Sequence, residues 1–149
     1  MLGNYLLGGS SAGRLPQRVR EKEGLSYSIG SYLSASSQDE KAEFGISAIF
    51  APQNRERVQK AIAEEVRAVV EGGFTEQEVE AGKASWLQAR RVARTRDATI
   101  AGRLGLYLEV GRTYLWDAEL EQKVAALTAR DVNAAMRRWL DDAKLSVVK

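Results

Sequence analysis

The chain has 149 residues, 44% of them hydrophobic and 28% charged, the proportions of an ordinary globular domain. Its 22 basic and 20 acidic residues leave a net charge of +2, too small by itself to argue for nucleic acid. There is no histidine and no cysteine, which excludes disulfides, thiolate nucleophiles, Ser-His and Cys-His pairs and imidazole ligands, so that any zinc site would have to be built from carboxylates alone.

In chain order, Leu2 to Leu7 reads as a short helix, with Gly8-Gly9 supplying a left-handed cap. Met1 to Leu7 is apolar from its first residue, without a polar lead-in, and this predicts a piece of a longer protein. A second helix carries Leu15 and Val19 on one face, tolerates Pro16 in its first turn, and stops at Gly24. Two alternating stretches follow. Tyr27, Ile29, Ser31 and Leu33 share one face, as do Ala42, Phe44, Ile46, Ala48 and Phe50, which predicts an antiparallel hairpin with one covered face.

From Asn54 the period becomes helical. Val58, Ile62, Val66 and Val69 form a stripe that ends at Gly72-Gly73. Thr75 and Glu78 form a capping box, with Phe74 and Val79 as the accompanying apolar staple, and the helix turns Val79, Trp86, Ala89 and Ala93 inward. A break is expected between Thr95 and Thr99. Further helices then carry Ile100, Leu104, Tyr107 and Gly111, and run from Trp116-Asp117 to about Ala126. Leu127, Thr128, Asp131 and Val132 repeat the box and staple. Val132, Met136, Trp139 and Leu140 form the last apolar face, and Leu145 with Val147 suggests a final short strand. The order predicts one α+β domain over residues 1–149, with helices packed on one face of a small antiparallel sheet. Three strands are few for so many helices, and further strands before Met1 would account for the shortfall. No apolar run approaches the roughly 20 residues of a membrane span.

Three features could be mistaken for sites. Gly8 to Gly13 looks like a phosphate loop but lacks the Gly-Lys-Ser/Thr end and follows no strand. Arg90, Arg91, Arg94 and Arg96 could contact phosphates, yet no aromatic ladder accompanies them, so a solvated helix face beside acidic neighbours is the better reading. The tryptophans lie at or beside helical apolar positions and read as packing residues.

The most informative segment is Arg20-Glu21-Lys22-Glu23-Gly24-Leu25-Ser26-Tyr27-Ser28. It sets a guanidinium at a helix end and a phenol at a strand head, seven positions apart. The guanidinium can fork onto a carbonyl or carboxylate, and the phenol can donate to a developing oxyanion. The plainer alternative is a helix-dipole partner and a strand tyrosine with a wet tip.

With Leu6-Leu7-Gly8-Gly9-Ser10 and Arg14-Leu15 before it, this segment resembles the carboxy-terminal half-domain of the insulinase/pitrilysin family of zinc metallopeptidases, whose other half bears an inverted H-x-x-E-H motif. The hairpin, the helices after Gly73-Phe74-Thr75-Glu76 and the close at Leu127-Thr128-Asp131-Val132 fall in the same order, so the resemblance covers nearly the whole chain. Pro16 departs from it, standing where relatives usually carry an apolar or aromatic residue.

The resemblance implies a partial domain lacking its first strands: the substrate-binding half of a zinc endopeptidase. It gives Arg20 and Tyr27 the role of reaching peptide backbone near a zinc ion held by another half-domain, on the same chain or on a partner subunit. It implies zinc in the complete enzyme, none bound by this fragment, and no peptide hydrolysis by the fragment alone. The alternative within the same family is a catalytically inactive, structural or chaperone-like member. Large bacterial members are often exported, which favours the periplasm, and an unpaired sheet edge would favour self-association.

Overall fold

The computed structural model describes residues 1–141 and 145–148. A helical turn, Leu2–Asn4, runs directly into a wider-wound segment, Tyr5–Gly9, and the two together are α1. Helix α2 spans Pro16–Lys22, with Pro16 in its first turn, where a missing N–H costs nothing. Strands β1 (Ser28–Ala35) and β2 (Ala42–Ile49) form the hairpin, and a 3-10 turn at Pro52–Asn54 leads into α3 (Arg55–Glu71). Then come α4 (Glu76–Ala93), α5 (Asp97–Glu109), α6 (Tyr114–Ala126) and α7 (Ala129–Trp139).

The hairpin is antiparallel, and its register pairs Ile29 with Ala48, Ser31 with Ile46 and Leu33 with Phe44. These pairs form the inward face, which α1 and α2 cover. On the other face the ring of Tyr32 lies over Gly45, where a Cβ would collide with it. Behind α1 and α2 stand α3, α4 and α7. The core between these layers is aliphatic: Leu7, Leu15, Val19, Val66, Val69 and Val79 are fully buried. The α+β layout expected from the periodicity is the one observed, because period-two and period-3.6 stretches each bury one face against the other.

Both predicted capping boxes form. Thr75 accepts from the Glu78 N–H while the Glu78 carboxylate accepts from the Thr75 N–H, and Thr128 with Asp131 repeats the arrangement. The break falls where expected, between α4 and α5.

Five expectations are corrected. Helix α5 ends at Glu109, short of Gly111, which adopts φ +63° and turns the chain. Gly8 and Gly9 lie inside α1 and adopt no left-handed conformation. Gly8 is small for a different reason: a Cβ there would sit 2.8 Å from the Ser31 nitrogen, so β1 could not approach. Ala89 is exposed rather than inward, while Gly82 is buried because Leu6 packs onto its bare Cα. Trp139 is 77% exposed, with the Arg138 guanidinium 4.8 Å from its ring centroid, so α7 closes on Leu140 instead. Leu145 and Val147 are in no strand; neither is buried, and no neighbouring strand takes up their backbone groups among the described residues.

Candidate functional site

Arg20 stands in the last turn of α2, and Tyr27 immediately precedes β1. The backbone between them is fastened at several points. Gly24 adopts φ +59° and reverses the chain, which lets the Leu25 N–H donate back to the Val19 carbonyl at 2.9 Å, closing a Schellman-type cap. The Glu23 N–H donates to the Arg18 carbonyl at 3.0 Å, five residues back, so the helix ends wide-wound. Leu25 itself is buried and acts as the apolar plug of the turn. The Asn54 side-chain amide donates to the Leu25 carbonyl at 3.0 Å, and the Tyr27 N–H donates to the Ile49 carbonyl at 2.8 Å.

The side chains behave in the opposite way. Tyr27 is 83% exposed. The Arg20 side chain is 55% exposed and pairs with the adjacent Glu21 at 3.5 Å. Among the described residues no hydrogen bond or ion pair joins Arg20 to Tyr27. The result is two long polar side chains held out into solvent by a pinned main chain.

Arg14, just before α2, and Arg18 within it are committed within the fold. Arg14 forks onto Glu78 at 2.7 and 2.9 Å, donates to the Gly73 carbonyl at 2.9 Å and lies 4.8 Å from the Phe74 ring centroid. This fork, with the capping bonds from Thr75, holds the Glu78 carboxyl down to about 2. Arg18 reaches Glu23 at 2.8 Å and Glu64 and Glu65 of α3, tying the end of α2 to the helix beside it. Both guanidiniums are pushed further into their charged form by these carboxylates, Arg14 chiefly by its hydrogen bond to Glu78 and Arg18 by its bond to Glu23. A cleft of about 380 Å³ opens over the network, but its arginines are already satisfied by glutamates.

The arginine cluster of α4 divides. Arg90 pairs with Asp117 and, at 2.8 Å, with Glu121, while Arg94 also pairs with Glu121, all across to α6. Arg94 first and Arg90 second hold the Glu121 carboxyl at about 2. The acidic neighbours that sequence reading placed elsewhere in the fold are these two residues. Sequence reading did not single out Asn54 or Asn133. Asn133 grips both backbone groups of Phe74, accepting from its N–H at 2.7 Å and donating to its carbonyl at 2.9 Å. No local pattern marks either asparagine, because each acts on a turn far away in the chain.

Residues 1–85 match a family model described as the Peptidase M16 inactive domain. Over 143 residues the chain is 31% identical to a protein of Streptomyces coelicolor named as an uncharacterised zinc protease, covering 90% of this chain and 29% of that protein. It is similar, at a TM-score of 0.81 and 26% identity, to a solved peptidase M16 inactive domain from Pseudomonas fluorescens, covering 96% of this chain and 34% of the other. The same TM-score at 20% identity relates it in fold to a protease from Helicobacter pylori, again over 96% of this chain and 34% of the other. The chain thus spans under a third of the curated relative.

Proposed function

The chain belongs to the M16 peptidase family, matching its inactive domain, and we propose that it is the substrate-binding half of a zinc-dependent endopeptidase, contributing Arg20 and Tyr27 to a zinc site supplied by another domain or subunit. The observation that carries the reading is the contrast at residues 20–27: a main chain pinned at Leu25 and Tyr27, and a phenol left 83% exposed.

The zinc implied by the relative's name does not fit this domain. The sequence offers neither histidine nor cysteine, and among the described residues no three acidic side chains stand close enough to hold a metal ion. What this domain supplies is polar contact to an extended peptide. The Arg20 guanidinium binds backbone carbonyls through its planar fork. The Tyr27 hydroxyl donates to the carbonyl oxygen of the bond being cut as negative charge grows there. A donor already held in place stabilises that charge without reorganising, which lowers the barrier more than it tightens binding. The reading includes a bacterial periplasmic setting, which cell fractionation tests.

The test is steady-state peptide hydrolysis by the complete protein. Tyr27→Phe removes one hydroxyl from an exposed ring, so packing is preserved. It is expected to lower kcat by about 10²–10³, the range for losing one oxyanion donor. Arg20→Lys keeps the charge but loses the fork and is expected to be impaired as well. Normal kcat in both variants assigns the pair to structure. A complete protein that cleaves no peptide supports the catalytically inactive, structural or chaperone-like alternative.

A further inference from the structure

Asn54 occupies the N-cap position of α3, where an asparagine ordinarily turns its side-chain oxygen onto the first free N–H groups of its own helix. Here it makes no such bond. Its amide instead crosses to the turn after α2 and donates to the Leu25 carbonyl at 3.0 Å, two residues before Tyr27. The position of Asn54 is itself fixed, because its N–H donates to the Ala51 carbonyl at 2.8 Å within the 3-10 turn. On the far side of Leu25 the backbone is tied to Val19, and beyond it Tyr27 is tied to Ile49. The Asn54 side chain therefore clamps the peptide leading into Tyr27.

We propose that Asn54 is a positioning residue for the Tyr27 hydroxyl: it sets the path of the Leu25-Ser26-Tyr27 backbone, and through it the place where the phenol meets substrate. This rests on the reading of Tyr27 given above and names a residue that acts on it without touching peptide. The physical reason is leverage. Tyr27 is 83% exposed, so little packing orients its ring and the place of its hydroxyl depends on the main chain that carries it. An error of about 1 Å in a reacting group can cost roughly 10²-fold in rate.

The variant that isolates this role is Asn54→Asp. Aspartate matches asparagine in shape and is as good an N-cap, so α3 keeps its start. The carboxylate, however, cannot donate, and it sets an acceptor against the Leu25 carbonyl. In the complete protein, Asn54→Asp is expected to lower kcat about 10- to 100-fold with KM within about 2-fold and a melting temperature lowered by only a few degrees. Hydrogen exchange should speed up at the amides of Leu25 and Tyr27 and stay unchanged in α4 and α7. The decisive measurement is the double variant with Tyr27→Phe. If Asn54 acts through the phenol, the double variant loses no more kcat than Tyr27→Phe alone. A full second loss in the Tyr27→Phe background overturns the proposal, and so does a rise in KM at normal kcat. Normal kcat for Asn54→Asp beside a crippled Tyr27→Phe also overturns it while leaving the role of Tyr27 standing. Normal kcat for Tyr27→Phe removes both. If the complete protein cleaves nothing, unchanged exchange at Leu25 and Tyr27 in Asn54→Asp still overturns the clamp.

Discussion

Residues 1–93 and the α5–α6 region hold together by different physics. In the first, aliphatic side chains meet in a closed core, and polar groups reinforce the turns above it: Arg14 and Asn133 both grip the backbone around Gly73 and Phe74. In the second, α5 buries only Tyr107, whose ring meets Tyr114 and Trp116 edge-on. Leu104, Leu106 and Leu108 are exposed, Leu108 by 84%, and a Cβ added at Gly102 or Gly105 would touch nothing. Helix α6 adds Val124 to the common core, and its other ties to α4 are polar: Arg90 and Arg94 reach Asp117 and Glu121, and the Lys83 ammonium donates to the Ala125 and Leu127 carbonyls at 3.1 and 2.9 Å. Apolar burial takes up no protons, whereas ion pairs weaken as their carboxylates protonate and as salt screens them. The proposed peptide-binding donors stand on the side that aliphatic burial holds.

The sharpest way to break this comparison is to remove equal carbon from each side. Leu7→Ala empties a fully buried position and is expected to cost about 2–5 kcal/mol in chemical denaturation. Leu108→Ala, in contrast, should stay within about 0.5 kcal/mol. Equal losses would show that α5 is covered and the contrast false.

Acid should separate the regions next. Glu121, held at about 2 against an ordinary 4.5, contributes stability that is complete above pH 4.5 and disappears as the pH falls toward 2. Glu78 follows the same sign over the same window. Protonating Glu78 weakens the Arg14 fork at a turn that the Arg14 bond to Gly73 and Asn133 still hold over an aliphatic core. Protonating Glu121 removes the shared partner of Arg90 and Arg94. Amide exchange across pH 5 to 2.5 should therefore rise first in α5 and α6. Simultaneous loss in α3 and α4 would contradict the division.

The smallest effect concerns association. Exposed leucines on one helix favour contact between copies. We expect light scattering to show concentration-dependent self-association, reduced in a Leu104→Ser, Leu108→Ser variant with little change in stability. Association that persists undiminished would place the contact elsewhere, for instance on the β2 edge.

What the sequence determined by itself was local. Each capping box links residues three apart, the α2 cap closes over six, and the hairpin alternates with period two, so residue identity and spacing are enough to specify them. The placing of Arg20 at a helix end and Tyr27 at a strand head was legible for the same reason. Tertiary structure alone decided what depends on distant neighbours. Asn54 meets Leu25 across 29 positions and Asn133 meets Phe74 across 59, while Arg94 finds Glu121 across 27. Gly8 is small because β1 crosses it, and Trp139 is exposed although its spacing fits an apolar face. A hydrogen bond or void between such positions leaves no periodic trace, because the partner is set by how layers stack and not by the chain around either residue.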